Sequence, residues 1–439
     1  MKKLILGIFL LGASTLVIGQ DSTSTFSSKS LEDQISSLKR SELSQSISLR
    51  SLLVPNYFPE LKALTARQAY NFWMENTGDK LVSHLNVYAA LHDANKYLGY
   101  DSVKNTYYNQ ILAHGDLVVS VEFGKKPNVF YSAGSDGRIV QWNLADLNAK
   151  PKLLYEGPEL FRSIDISFDD EWLLAVTKEN GIILINLPLA SAPAIPSEIS
   201  TPIIARDYEG VQSATFMPNS SEYLSITKSG ELRLKGFKID SLKATTDKQV
   251  RTMTVSEDTR KVFAGTDEGV VQMWDAEMDE SFLEIPELYR INALAISPDK
   301  KMLGIGREKG DAIIWDLENE RLIRTIAGHQ SAIMDLDFSP DNRLLLTASR
   351  DGTSRVFEIN NSRKLPMVFD DHDDWVMTAA FDHSGKRAIT GSKDGYIRVW
   401  ELDAEVLADR ICTFLRRELT IAEWNDFVGT SIPYQQACK

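Results

Sequence analysis

The sequence predicts a mainly β protein, a seven-bladed β-propeller with small α-helical flanking regions at both ends. Three observations predict it. A tight turn ending in glycine recurs at Gly137, Gly181, Gly230, Gly269, Gly310, Gly352 and Gly395, spaced 44, 49, 39, 41, 42 and 43 residues apart. Five residues past the glycine stands an aromatic in five of the seven units: Trp142, Trp274, Trp315, Phe357 and Trp400. Asn186 and Lys235 hold that place in the second and third units, which are degenerate. Around each turn, apolar residues alternate with period two and are bounded by Gly, Pro and Asp, as in Phe338-Ser339-Pro340-Asp341, which marks short antiparallel strands. Four strands per repeat, seven times over, make a propeller.

From the N-terminus, Lys2 and Lys3 precede an apolar and small run from Leu4 to Gly19. That layout is a secretory signal peptide at 1–19, with Val17 and Gly19 at the cleavage positions. An uncleaved anchor is the alternative. Residues 20–30, rich in Ser and Thr, read as a disordered linker. The region 31–105 reads as helical. Leu31, Ile35 and Leu38 share one face, Pro59 opens a helix carrying Leu61, Leu64, Ala69, Tyr70 and Trp73, and a third helix covers Leu85 to Leu98. These helices are expected to pack on the propeller rim.

The propeller occupies 106–402. Its last unit ends at the Trp400 strand, one strand short, while Thr106 to Leu112 has no blade of its own. That segment is expected to supply the outer strand of the last blade and close the ring. Gly328-His329, Asp351-Gly352 and Phe357-Glu358, with the literal pairs Trp274-Asp275 and Trp315-Asp316, resemble the WD40 pattern. The resemblance runs from about residue 106 to 402. It implies a hydrogen-bonded set that fixes each blade: His114, Ser132, Asp136 and Trp142; His372, Thr390, Asp394 and Trp400; and His329, Thr347 and Asp351, where Phe357 has no N–H to complete it. It also implies that the residue before each innermost strand contacts partners. By register these are Leu117, Leu160, Gly210, Gln249, Arg290, Ala332 and Trp375. Trp375 and Arg290 are of types enriched at binding hot spots, against the plainer reading of ordinary exposed side chains.

The tail, 403–439, has Leu407, Ile411 and Leu415 on one helix face. Thr420 and Glu423 form a capping box opening a short helix whose buried face would be Trp424 and Phe427. The run Cys412, Arg417-Glu418-Leu419-Thr420, Glu423-Trp424, Pro433-Tyr434 and Cys438 is similar to the tail of a bacterial WD40 group that also carries helices before its propeller. Cys412 and Cys438 are the only cysteines. In an oxidising compartment their pairing would contribute about 3.5 kcal/mol by loop closure; two free thiols are the alternative. The tail is expected to staple propeller surface.

Net charge is −13, and near −15 without the signal segment. Such a surface repels phosphate backbones and anionic lipid, so nucleic acid is a poor partner. No Gly-Lys-Ser or Gly-Lys-Thr loop and no Gly-x-Ser-x-Gly elbow occurs. Gly304, Gly306 and Gly310 imitate a dinucleotide loop but lie in a predicted hairpin. Asp370-Asp371-His372-Asp373-Asp374 offers hard-cation ligands, but His372 has a place in its blade, and an acidic surface loop is the simpler reading. His84, His92 and His383 share no ligand spacing. The Pro-rich loop Pro188 to Pro202 is a second contact or merely a long connection. The sequence therefore reads as a non-catalytic protein-binding scaffold or adaptor in a bacterial cell-envelope complex, without cofactor or metal and without membrane insertion once the signal is removed. A propeller enzyme acting on an envelope carbohydrate or peptide, and a ligand sensor, are the alternatives. Two or more acids converging at the channel would favour the enzyme.

Overall fold

The computed structural model describes residues 28–77, 85–98, 108–179, 181–187, 203–207, 210–218, 222–236, 240–256, 261–275, 280–283, 288–361 and 365–438. The expected signal peptide, most of the linker, the loop from Pro188 to Pro202, His84 and the side chains of Leu31, Ile35 and Leu38 lie outside the described residues.

Seven four-stranded antiparallel sheets form the propeller. In the first six, sequence order is spatial order. In the seventh, Val376–Phe381, Arg387–Ser392 and Tyr396–Glu401 are completed by Tyr108–Leu112, with Gln110 opposite Arg398 and Ile111 opposite Ile397. The ring is therefore latched by the strand ahead of the first blade. The turn glycines earn their place by conformation: Gly137, Gly230, Gly269, Gly310, Gly352 and Gly395 adopt φ of +77° to +88°. A Cβ on Gly137 would lie 2.0 Å from the Gly157 carbonyl oxygen.

Blades cohere by facing apolar layers. Leu224, Ile226 and Leu232 of the third blade meet Val250, Val262 and Trp274 of the fourth, all buried. Each such aliphatic side chain stabilises by about 1.5–3 kcal/mol. Every innermost strand also slips register after its first residue, between Val118 and Ser120, Phe161 and Ser163, Val211 and Ser213, Val250 and Thr252, Ile291 and Ala293, Ile333 and Asp335, and Val376 and Thr378. Such a bulge inserts one extra residue and re-aims its side chain.

Three helices precede the ring: α1 (Ser28–Leu53), α2 (Pro59–Thr77) and α3 (Leu85–Leu98). α1 begins inside the stretch expected to be linker, because serines are tolerated in a first turn whose N–H groups have no helical partner. α3 packs on the rim of the last two blades. The Tyr88 hydroxyl donates to the Glu401 carbonyl at 2.6 Å, and the His92 ring lies 5.1 Å from Phe369 and 6.0 Å from Trp400. Lys96 pairs with Asp370 at 2.5 Å and Asp371 at 3.2 Å, so two members of the acidic run tie helix to ring.

After the ring come α4 (Ala404–Phe414), capped by Asp403, and α5 (Ile421–Phe427), opened by the Thr420–Glu423 capping box. Trp424 is buried with Ile47, Leu64 and Phe72, and its indole donates to the Ile432 carbonyl at 3.0 Å. Phe427 is only half-buried; Val428, at the C-cap, turns inward instead. The tail thus clamps α1 and α2 more than propeller surface, and only α4, through Leu407, Ala408 and Ile411, reaches the core shared with the last blades. Cys412 and Cys438 are joined by a disulfide across this clamp, with 26 residues of separation.

Candidate partner-binding face and central channel

The blade-fixing residues differ from blade to blade. In the first, His114 Nδ1 stands 2.9 Å from Asp136 and Nε2 2.8 Å from Ser132 Oγ, which accepts from the Trp142 indole at 2.8 Å. In the sixth, His329 Nδ1 lies 2.9 Å from Asp351 and Nε2 2.7 Å from Thr347 Oγ1. Burial works against the Asp351 carboxylate, but hydrogen bonds from His329 and Thr353 overcome it and lower its pKa. Burial lowers that of His329. Phe357 only sets its ring edge-on to His329, at 6.3 Å.

The last blade departs from the expected set. His372 Nε2 lies 2.8 Å from Thr390 Oγ1, which also accepts from Trp400 at 2.8 Å, but Nδ1 faces Arg398 at 2.8 Å rather than Asp394. Arg398, buried, stands between them and donates to Asp394 at 2.7 Å. A guanidinium only donates, so Nδ1 must accept and the imidazole carries its proton on Nε2. Burial, then Arg398, holds the His372 pKa well below its ordinary value. Arg398 was missed in the sequence, where a basic residue three past a turn glycine reads as a solvated strand position.

The seven residues before the innermost strands form one ring. Each carbonyl accepts the N–H of the residue after the neighbouring strand: Ser135 to Leu117, Lys178 to Leu160, Lys228 to Gly210, Asp267 to Gln249, Glu308 to Arg290, Arg350 to Ala332, and Lys393 to Trp375, at 2.7–3.0 Å. Trp375, Leu160, Gln249 and Arg290 are exposed, Leu117 and Gly210 half-buried. Ala332 is buried and offers no contact. Trp375, 42% exposed, lies between Arg350 at 5.1 Å and Lys393 at 4.7 Å. Such cation–π pairs contribute roughly 0.5–1 kcal/mol each and restrict the ring's motion. Arg290 pairs with Asp267 at 3.2 Å.

Inside this ring opens a channel of about 520 Å³, lined by the innermost strands. The bulged residues, Arg162 and Arg251 among them, crowd its mouth. Burial, then Arg251, lowers the Arg162 pKa. Deeper lie four carboxyls. Asp165 accepts from Thr215 Oγ1 at 2.9 Å and Phe216 N at 2.8 Å. Asp335 accepts from Thr378 Oγ1 at 2.8 Å and Ala379 N at 3.0 Å, and Asp337 from Phe381 N at 2.8 Å. These three therefore latch one blade to the next. Burial raises all four, Asp335 to about 6 and Asp337 to about 7, and Glu122 feels Asp165, Asp335 and Asp337 besides. Among the described residues no group of His, Cys, Asp and Glu has the arrangement of a metal site.

Residues 320–358 and 363–401 match the family model of the WD domain, G-beta repeat. A segment of 112 residues is 34% identical to Protein LST8 homolog of Drosophila melanogaster, covering 24% of this chain and 36% of that protein. Another, of 125 residues, is 30% identical to Protein groucho of the same organism, covering 27% of this chain and 17% of that protein. The chain thus spans little more than a third of one relative's length and less than a fifth of the other's. It carries WD40 repeats within a seven-bladed β-propeller.

Proposed function

We propose that this chain is a non-catalytic protein-binding scaffold whose contact surface is the channel mouth. WD40 propellers are in general platforms for protein partners, and the observation that carries the reading here is Trp375, accessible and in cation–π contact with Arg350 and Lys393 at the channel mouth. Affinity capture with the full chain should recover partners, and Trp375→Ala with Arg290→Ala should lose them. Undiminished capture by that double variant sinks the assignment of this face.

The setting we infer is a bacterial cell envelope, most simply the periplasm, reached by the signal peptide at 1–19. The disulfide between Cys412 and Cys438 supports an oxidising compartment. Among the described residues no helix is long and apolar enough to cross a membrane. Fractionation of the native host, with the mass of the mature N-terminus, tests the export; finding the intact N-terminus in the cytosolic fraction would refute it.

One observation favours a second reading, an enzyme acting on an envelope carbohydrate or peptide. Four carboxyls do converge in the channel. Asp165, Asp335 and Asp337 are engaged in latching blades, which leaves Glu122, raised by burial and by its acidic neighbours, as the group able to serve as an acid. Hydrolysis of an envelope polymer that Glu122→Gln abolishes would establish this reading over the scaffold.

A further inference from the structure

We propose that the channel mouth binds a short acidic segment of a partner protein; this rests on the scaffold reading and names the chemistry of its partner. The chain carries a net charge of −13, yet one arc of its mouth gathers cations. Two repeated positions supply them: the strand bulge at Arg162 and Arg251, and the residue following the second strand at Lys178, Lys228, Arg350 and Lys393, a position that Asp267 and Glu308 hold in the fourth and fifth blades.

On one arc the charges are answered. Arg251 and Arg290 share Asp267 at 3.4 and 3.2 Å, Arg350 has Glu308 at 3.4 Å, and Lys393 has Asp374 at 3.1 Å. On the arc of the second and third blades they are not. Arg162, Lys178 and Lys228 are exposed and have no carboxylate within ion-pair distance among the described residues. Glu179, beside Lys178, reaches Arg162 only at longer range.

A ligand confined to the mouth feels chiefly charges within the screening length of about 8 Å, so three unanswered cations outweigh the distant negative surface. A long polyanion such as nucleic acid would overrun the mouth and meet that surface. Glu122, Asp165, Asp335 and Asp337 line the channel below the mouth, where burial favours their neutral forms and they offer no cation to draw an anion inward. An acidic segment therefore lies across the opening, and Trp375 further round the rim is placed for an apolar side chain flanking its acids.

The test is fluorescence anisotropy of a labelled peptide of about ten glutamates titrated with the full chain. We expect saturable, salt-sensitive binding, weakened at least ~10-fold by Arg162→Glu, Lys178→Glu and Lys228→Glu together, and less than ~2-fold by Lys125→Glu, Lys126→Glu and Lys150→Glu on the opposite face. The conservative set Arg162→Lys, Lys178→Arg and Lys228→Arg, shown to be folded by its melting curve, should keep the affinity. No binding, equal loss in both reversed sets, or tighter binding of an oligothymidylate of the same charge would overturn the proposal. Partners that Trp375→Ala releases but the reversed mouth set retains would sink it while leaving the scaffold reading intact.

Discussion

Trp142 and Trp400 each donate an indole N–H to a hydroxyl ten residues earlier, Ser132 or Thr390, whereas Trp274 and Trp315 find Ala264 and Ile305 at that place. The indole nitrogens of Trp274 and Trp315 are buried without a hydrogen bond among the described residues. Ala264→Ser should give Trp274 an acceptor and raise stability by about 1 kcal/mol, read as a higher urea midpoint at unchanged slope. Thr390→Ala strips partners from both Trp400 and His372 and should cost about 2–4 kcal/mol. The channel acids make a prediction of opposite character. Burial raises Asp337 to about 7, so the folded state holds this proton more tightly than the unfolded chain does. Its contribution is fully present below about pH 4 and is lost as pH rises through 7. The stability of the parent relative to Asp337→Asn should therefore fall across that window; a flat difference contradicts the assignment. Little of this was legible in the sequence. Period-two alternation shows that Glu122, Asp165 and Asp337 face away from the sheet cores, but only ring closure brings residues from blades one, two and six together.

Legibility improves for elements, because one strand or helix carries its own signals. The turn glycines announce every blade, Pro59 and the Thr420–Glu423 pair announce two helices, and the missing last strand announced its substitute at Tyr108–Leu112. Docking was legible only in part: the helices were expected on the rim, where α3 does pack, but an apolar helix face does not name what it covers. The tail illustrates this: Trp424 fits against Phe72 of α2, not against a blade. Its disulfide closes a loop of 26 residues' separation. Replacing both cysteines by alanine should remove about 3.5 kcal/mol from tail stability in the chain-entropy account, measurable by hydrogen exchange in α5. α3 depends on pH through His92. Burial, then Lys96, lowers its pKa to about 3, with Asp370 opposing. A buried neutral histidine favours folding fully above the unfolded value of about 6.5 and ever less as pH falls towards 3, by up to about 1.4 kcal/mol per unit. Acidification should thus release α3 from Phe369 and Trp400, seen as faster exchange of its amides, and His92→Phe should blunt the response.

For the whole molecule the decisive property is closure. Seven blades that each bury one face against the next form a ring only if the seventh meets the first, and here the joint has two components. One is packing, where Val118 and Val121 of the first blade meet Ile389, Ile397 and Val399 of the last. The other is covalent continuity, since Tyr108–Leu112 belongs to the last sheet yet runs directly into the first. Inside, Asp335 of blade six binds Thr378 of blade seven, whose hydroxyl accepts from Val121 N of blade one at 3.1 Å, so a polar thread crosses the same joint. The latch holds the bulged side chains of the innermost strands in register around the channel. Ile111→Pro removes an N–H and forces φ in the middle of the latch, at a cost of roughly 3 kcal/mol. Ile111→Ala loses only packing. The proline variant should open at the joint between blades seven and one, giving early proteolytic cuts between residues 108 and 118 and a larger hydrodynamic radius. The alanine variant should melt lower but stay closed. Equal behaviour of the two would mean that interblade packing alone shuts the ring, and that the borrowed strand is a passenger.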